Sequence, residues 1–213
     1  MTKYVYGIDI GGTTIKMGLF KTNGTLLKKW EILTDSSNSG SNVIQDIYNN
    51  ILMITPNLDE VLGYGFGVPG PVVKNYISMV VNLGWKDINL KSVFSELLGN
   101  DNIYVGNDAN LAALGEAAYG AGEGKRNVAM LTLGTGVGCG IVVDGKLVEG
   151  RHGAAGEIGH LNVFPKYKFQ CNCGNIGCLE TVASATGIRN LFNEIKKTYV
   201  GDSYLFNLVF PSA

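Results

Sequence analysis

Three cysteines within eight positions, Cys171, Cys173 and Cys178, are the densest group of potentially reactive side chains in the sequence. The spacing C-x-C-x₄-C, with Gly174 and Gly177 between them, lets three thiolates turn around one ion. Tetrahedral zinc takes four ligands, and four protein ligands leave no position for water, so a zinc held here would be structural. An ordinary loop of reduced thiols is the alternative. Cys139 stands alone in a predicted strand, where a small buried apolar role suits it.

Two glycine turns could meet an anion. Asp9-Ile10-Gly11-Gly12-Thr13-Thr14 and Leu133-Gly134-Thr135-Gly136-Val137-Gly138 each lie between two predicted strands. Glycines let backbone N–H groups face a phosphate, and threonine hydroxyls add donors. Asp9, at a strand end beside its turn, is placed to hold a metal-bound water. Each turn could equally be a tight hairpin needing positive φ. The pair together fits two loops gripping a polyphosphate between two lobes. Neither matches GxxxxGK[ST], and neither has the GxGxxG-before-helix context. Asp108, in Asn107-Asp108-Ala109-Asn110, sits where a short strand meets a helix and could be an N-terminal cap or a base. Glu157-x-x-His160 offers the mixture of acceptor and donor that a polyol needs, although Gly156 and Gly159 argue against a regular helix. Gly67-Val68-Pro69-Gly70-Pro71 reads as a strand running into a turn, and His152 as a loop residue.

Tyr4–Ile10 and Thr14–Phe20 alternate as strands, Asn23-Gly24 is a hairpin signal, and a third strand runs from Thr25 to Ile32. A polar loop from Asp35 to Asn42 leads to a helix over Val43–Ile54, which Pro56 ends. Val61–Val68 reads as a buried strand, Leu90–Leu98 as a helix, Asn102–Val105 as a strand and Asn107–Tyr119 as a helix. Then the opening pattern returns: strand Asn127–Leu133, a Gly/Thr turn, strand Val137–Val143, the turn Asp144-Gly145, and strand Lys146–Glu149. This is an internal structural repeat, with the glycine-rich stretch Gly115–Gly124 as a hinge between the blocks. Asn190–Tyr199 is helical by pattern, and an apolar tail follows from Ser203 to Phe210 that would be an aggregation hazard if exposed.

The 213 residues carry a net charge of −1, with 46% hydrophobic and 16% charged residues. That composition argues against disorder, a basic nucleic-acid footprint and a polybasic membrane patch. No apolar run reaches membrane-spanning length, and the first ten residues do not resemble a signal peptide, so a cytoplasmic protein is expected. The 30 glycines are about twice the average usage.

The two turns, the repeated meander, Gly106-Asn107-Asp108-Ala109-Asn110, Gly156-Glu157-Ile158-Gly159-His160 and Cys171-x-Cys173-Gly174-x-x-Gly177-Cys178-x-Glu180 together resemble the ROK family of sugar kinases and repressors. The resemblance implies an α/β, actin/hexokinase-like ATPase (ribonuclease H-like) fold in two lobes, 1–114 and 115–213, the second incomplete at its C-terminal side. It implies an ATP-dependent hexose kinase, glucokinase-like and acting at the 6-hydroxyl, with Asp108 as general base. Asn107, Glu157, His160 and Glu180 would bind the sugar's hydroxyls, with Gly70 in the substrate-side loop. ATP with Mg²⁺ would lie on Asp9, Gly11, Gly12, Thr13, Thr14, Lys16, Gly134, Thr135 and Gly136. His160 would be the fourth ligand to a structural Zn²⁺ on Cys171, Cys173 and Cys178. A homodimer that binds hexose and ATP, but no nucleic acid and no membrane, is expected. A noncatalytic sugar-binding fragment is the alternative, and a sugar-responsive transcriptional regulator a weaker one.

Overall fold

A computed structural model describes residues 3–55, 57–80, 83–163 and 166–207. Alternation places Tyr6, Ile8 and Ile10 of β1 (Tyr4–Ile10) on one buried face. β1 pairs antiparallel with β2 (Thr14–Lys21), which pairs with β3 (Leu26–Leu33). On its other edge β1 takes β4 (Val61–Val68) in parallel, and β4 takes β8 (Ile103–Asn107) in parallel. The five-stranded order is therefore β3-β2-β1-β4-β8.

The apolar stripe Val43, Ile47 and Ile51 of α2 (Val43–Ile54) joins that buried face. So does Leu90, Phe94 and Leu98 of α3 (Leu90–Leu98). Phe66 of β4 stacks on Phe94 with ring centroids 4.3 Å apart at the centre of this core. The predicted polar loop before α2 contains one tight turn, α1 (Ser37–Gly40), in which Asn38, Ser39 and Gly40 are at positive φ. Pro56 lies outside the described residues.

α4 (Asp108–Tyr119) leaves the end of β8 and packs on β9 (Val128–Leu133) and β10 (Val137–Val143). β11 (Lys146–Leu147) completes a second meander and is shorter than the predicted strand to Glu149. The predicted hinge is partly helix: Gly115 lies inside α4, and only Gly120–Gly124 form a turn region. In the first block β1 has a parallel partner on its far edge. In the second, β9 has none among the described residues, and Leu131 and Leu133 are exposed there.

A third sheet, β5 (Val72–Val73), β6 (Tyr76–Val80) and β7 (Trp85–Asn89), was not expected from the sequence. Its first hairpin turns on Lys74-Asn75, both at positive φ, a two-residue turn without the usual glycine.

After the second meander the chain forms a 3₁₀ turn at Ile158–His160, as the flanking glycines suggested, then α5 (Glu180–Ala183) and α6 (Ala185–Lys196). α6 begins five residues before the predicted start at Asn190 and ends short of Tyr199. In the apolar tail, Tyr204 and Leu205 are exposed; residues 208–210 lie outside the described residues. No helix among the described residues is long and apolar enough to cross a membrane.

Candidate active site

In open parallel sheets, ligands collect beyond the carboxyl ends of the strands. Three parallel strands end side by side here. Asp9 pairs with Gly67, Gly67 with Gly106, and Val68 with Asn107. Gly67 lies between the two acids: a Cβ there would sit 3.7 Å from both Asp9 Oδ1 and the Asp108 Cα. A cleft of about 710 Å³ opens at this point, with Asp9, Lys16, Gly67, Asp108 and Thr132 among its walls and an apolar side formed by Phe20 and Leu26.

Asn107 caps α4. Its Oδ1 accepts from the Asn110 amide at 3.0 Å, and its Nδ2 donates to the Gly70 carbonyl at 3.2 Å. One side chain thus starts the helix carrying Asp108 and holds the Gly67–Pro71 loop. We expect Asn107→Ala to cost about 1 kcal/mol in a denaturant melt. Asn107→Asp should recover most of that cost through the retained acceptor, while losing the bond to Gly70.

The Asp108 side chain faces the open cleft, with Oδ1 accepting from the Ala109 amide at 2.8 Å. Its pKa is raised, first by the withdrawal of water around it and further by the charges of Asp9 and Glu157, against the pull of that amide. Glu157 leads on to His160: Glu157 Oε2 is 3.7 Å from His160 Nε2, and His160 Nδ1 is 3.7 Å from Glu180 Oε1. The loop carrying Glu157 and His160 lies tight on β10. A Cβ at Gly156, where φ is +86°, would collide with the Cys139 carbonyl, and one at Gly159 with that of Val137. Asp9, Asp108, Glu157, His160 and Glu180 therefore form a continuous arc from the first glycine turn towards the second.

The turns themselves differ from the expectation of free amides throughout. The Gly11 amide donates to the Thr14 carbonyl, and the Gly134 amide to the Gly136 carbonyl, each at 3.0 Å. Both bonds close their own turns. Gly12 and Thr13, and Thr135 and Gly136, remain as the anion-facing candidates. Thr34 anchors the first turn through its hydroxyl to the Gly11 carbonyl at 2.7 Å. The Ala185 amide anchors the second, donating to the Gly134 carbonyl at 2.9 Å. Sequence reading singled out the Gly67–Pro71 segment but not the place of Gly67 between the acids, and it missed Thr132 and Ala185, since each acquires its place only through strand pairing or helix docking.

His160, Cys171, Cys173 and Cys178 present one ligand atom each within 4.8 Å of one another. Cys173 Sγ lies 3.7 Å from Cys178 Sγ, and Cys171 Sγ 3.6 Å from His160 Nδ1. A tetrahedron with arms of about 2.3 Å has edges of about 3.8 Å, so the donor set fits zinc. His160 would ligate through Nδ1, leaving Nε2 towards Glu157. Burial first, and neighbouring acceptors next, raise the Cys171 thiol; burial also raises Cys178. A cation among them would reverse that preference.

Residues 5–209 match the ROK family. Glucokinase from Halalkalibacterium halodurans is 43% identical over 198 residues, covering 90% of this chain and 60% of the relative. Xylose repressor from Caldicellulosiruptor bescii is 37% identical over 150 residues, covering 68% of this chain and 36% of the repressor. A crystal structure of a ROK family glucokinase from Streptomyces griseus, in complex with glucose and AMPPNP, matches with a TM-score of 0.76 at 33% identity, covering 92% of this chain and 62% of that one. The fold is the mixed α/β, actin-like ATPase fold of these ROK structures. The chain belongs to the ROK family. It spans about 60% of the length of the glucokinases it matches.

Proposed function

We propose that the chain carries the sugar-side machinery of a cytoplasmic, ATP-dependent hexose kinase, acting on glucose or a close analogue at the 6-hydroxyl. The observation that carries this reading is the placement of Asp108 beside Asp9 across Gly67, at the open end of three parallel strands. Asp108 Oδ1 is engaged by the Ala109 amide. Oδ2 is thus the atom that takes the hydroxyl proton as the sugar oxygen bonds to the γ-phosphorus and the bond from that phosphorus to the bridging oxygen of the leaving diphosphate breaks. Asn107, Glu157, His160 and Glu180 orient the sugar, with Gly70 held nearby by Asn107. Gly12, Thr13, Thr14, Thr135 and Gly136 supply donors to the phosphates, and Lys16, on the cleft wall, adds positive charge. Asp9 would hold hydrated Mg²⁺, which neutralises phosphate charge when bound. The proposed lobes, 1–114 and 115–213, share α4, which leaves β8 of the first and packs on β9 and β10 of the second, and the working form is a homodimer.

The test is a thermal-shift panel of hexoses with and without Mg-ATP, followed by a coupled assay for phosphate transfer. Gly134→Ala sharpens it. Gly134 is not at positive φ, and a Cβ there meets nothing within 4 Å. The substitution should leave the melt within about 0.5 kcal/mol, yet weaken the nucleotide shift if phosphates approach this backbone. Identical nucleotide shifts in wild type and variant would count against a phosphate turn at 134–136. The second reading is sugar binding without transfer. It predicts a shift with sugar and none with nucleotide.

A further inference from the structure

The segment after Cys178 touches both the cysteine cluster and the second glycine turn. Glu180 is two residues beyond Cys178. Its Oε1 lies 2.9 Å from Cys171 Sγ and 3.7 Å from His160 Nδ1. Its Oε2 lies over the turn, so that a Cβ at Gly136 would sit only 2.7 Å from it. Gly136 is not at positive φ. Its lack of a side chain therefore serves space, and the space is taken by the Glu180 carboxylate. Five residues further on, the Ala185 amide holds the Gly134 carbonyl.

The link between these contacts is stiff. The Thr181 hydroxyl donates to the Cys178 carbonyl at 2.6 Å, and the Ser184 hydroxyl to the Glu180 carbonyl at 2.6 Å. Ser184 Oγ also accepts from the Gly187 amide at 3.0 Å, and the residue is 1% exposed. The turn it meets is otherwise open: Leu133, Gly134 and Thr135 are all exposed.

We propose that Glu180 and the α5–α6 junction form a positioning bridge through which metal in the Cys/His cluster fixes the conformation of the Gly134–Gly136 turn. Metal holds Cys178 and with it the start of α5. The carboxylate of Glu180 and the amide of Ala185 then set the two ends of the turn. An empty cluster frees Cys178, and the turn loses both anchors together. By linkage, anything that orders the turn tightens the metal, by the same factor. The proposal rests on the metal reading of the cluster and does not require the turn to bind phosphate.

The test is hydrogen exchange on the whole chain, zinc-loaded and after a strong chelator, without sugar or nucleotide. Chelation should speed exchange in residues 131–138 by about fivefold or more, the lower end of ordinary coupling between sites, while β2 stays unchanged. Glu180→Ala should keep about one zinc per chain, speed exchange in the turn before any chelator is added, and show a smaller chelation effect than wild type, because only the Ala185 amide then links the turn to the metal. Glu180→Gln, with the same length and an acceptor oxygen, should restore most of the slow exchange. Gly136→Ala, whose methyl displaces the carboxylate, should reproduce Glu180→Ala and serves if that variant does not fold. Faster exchange confined to residues 160–178 on chelation overturns the bridge. So does a chelation effect of undiminished size in Glu180→Ala, or a wild-type chain that takes up no zinc.

Discussion

Asp108→Asn should lower phosphoryl transfer by about 10²–10⁴-fold, the usual worth of a positioned general base. Asn keeps the size of the side chain and an oxygen that can accept from the Ala109 amide, so the start of α4 should survive. The proton acceptor is what disappears. Sugar-induced thermal shifts should therefore remain while turnover collapses, which separates a base from a helix cap. A residue that only helped to start α4 would leave turnover unchanged in Asp108→Asn, because Asn keeps the acceptor for the Ala109 amide.

The raised pKa of Asp108 gives this prediction a pH signature. Transfer needs the carboxylate, so wild-type activity should fall as pH drops through the raised value, and the residual activity of Asp108→Asn should lack that limb. Stability runs the other way. The folded chain holds the Asp108 proton more tightly than the unfolded chain. This group's contribution is therefore greatest below the unfolded pKa and is lost as pH rises through the folded one. At pH 7 the carboxylate is then a strain beside Asp9 and Glu157, and Asp108→Asn should melt at or above the wild-type temperature. A lower melting temperature at pH 7, together with an unchanged turnover number, would leave Asp108 as a structural residue of the first turn of α4, which Asn107 caps.

Emptying the cysteine cluster should produce the largest structural loss in the molecule. Between Arg151 and Leu179 the described chain holds one 3₁₀ turn and two isolated bridges, Asn162 with Cys178 and Gln170 with Ile176. Buried apolar side chains there are few beyond Cys171 and Cys178 themselves. So little core cannot offset the entropy of ordering the loop. Structural zinc is worth about 10–16 kcal/mol in small zinc domains, enough to fold such a segment by itself. Cys178→Ser, at a site 1% exposed, should abolish the expected one zinc per chain by elemental analysis and lower the melting temperature. It should also open the loop between His160 and Cys178 to protease, while the five-stranded sheet persists. Purified wild-type protein that contains no zinc and melts unchanged in chelator would refute the metal reading.

These two sites were legible in the sequence to different depths. C-x-C-x₄-C declares its chemistry through spacing alone, since three thiols within eight positions must meet if the glycines between them turn. The fourth ligand came from family resemblance, and geometry then brought His160 Nδ1 to 3.6 Å from Cys171 Sγ. While β4 was legible as a short apolar run buried on both faces, periodicity was enough for β1, α2 and α3, because each buries one regular face. It failed for the β5–β7 sheet, where short strands turn on Lys74-Asn75 and no glycine marks the hairpin. It also stopped short at α6, whose first turn is capped by Ser184 rather than announced by apolar spacing.

The sequence by itself determined most of the local elements, the repeat of the meander, the cysteine cluster and the identity of the acids. Those follow from side-chain type and from spacing along the chain. Only the tertiary structure decided that Gly67 lies between Asp9 and Asp108, that the amides of Gly11 and Gly134 are consumed by their own turns, and that Glu180 fills the space above Gly136. The first and last are contacts between segments distant in sequence, fixed by parallel strand register or by the docking of α5 and α6, which no local pattern of residues carries. The turn bonds are local, but residue type alone does not say which amides of a glycine turn point inward.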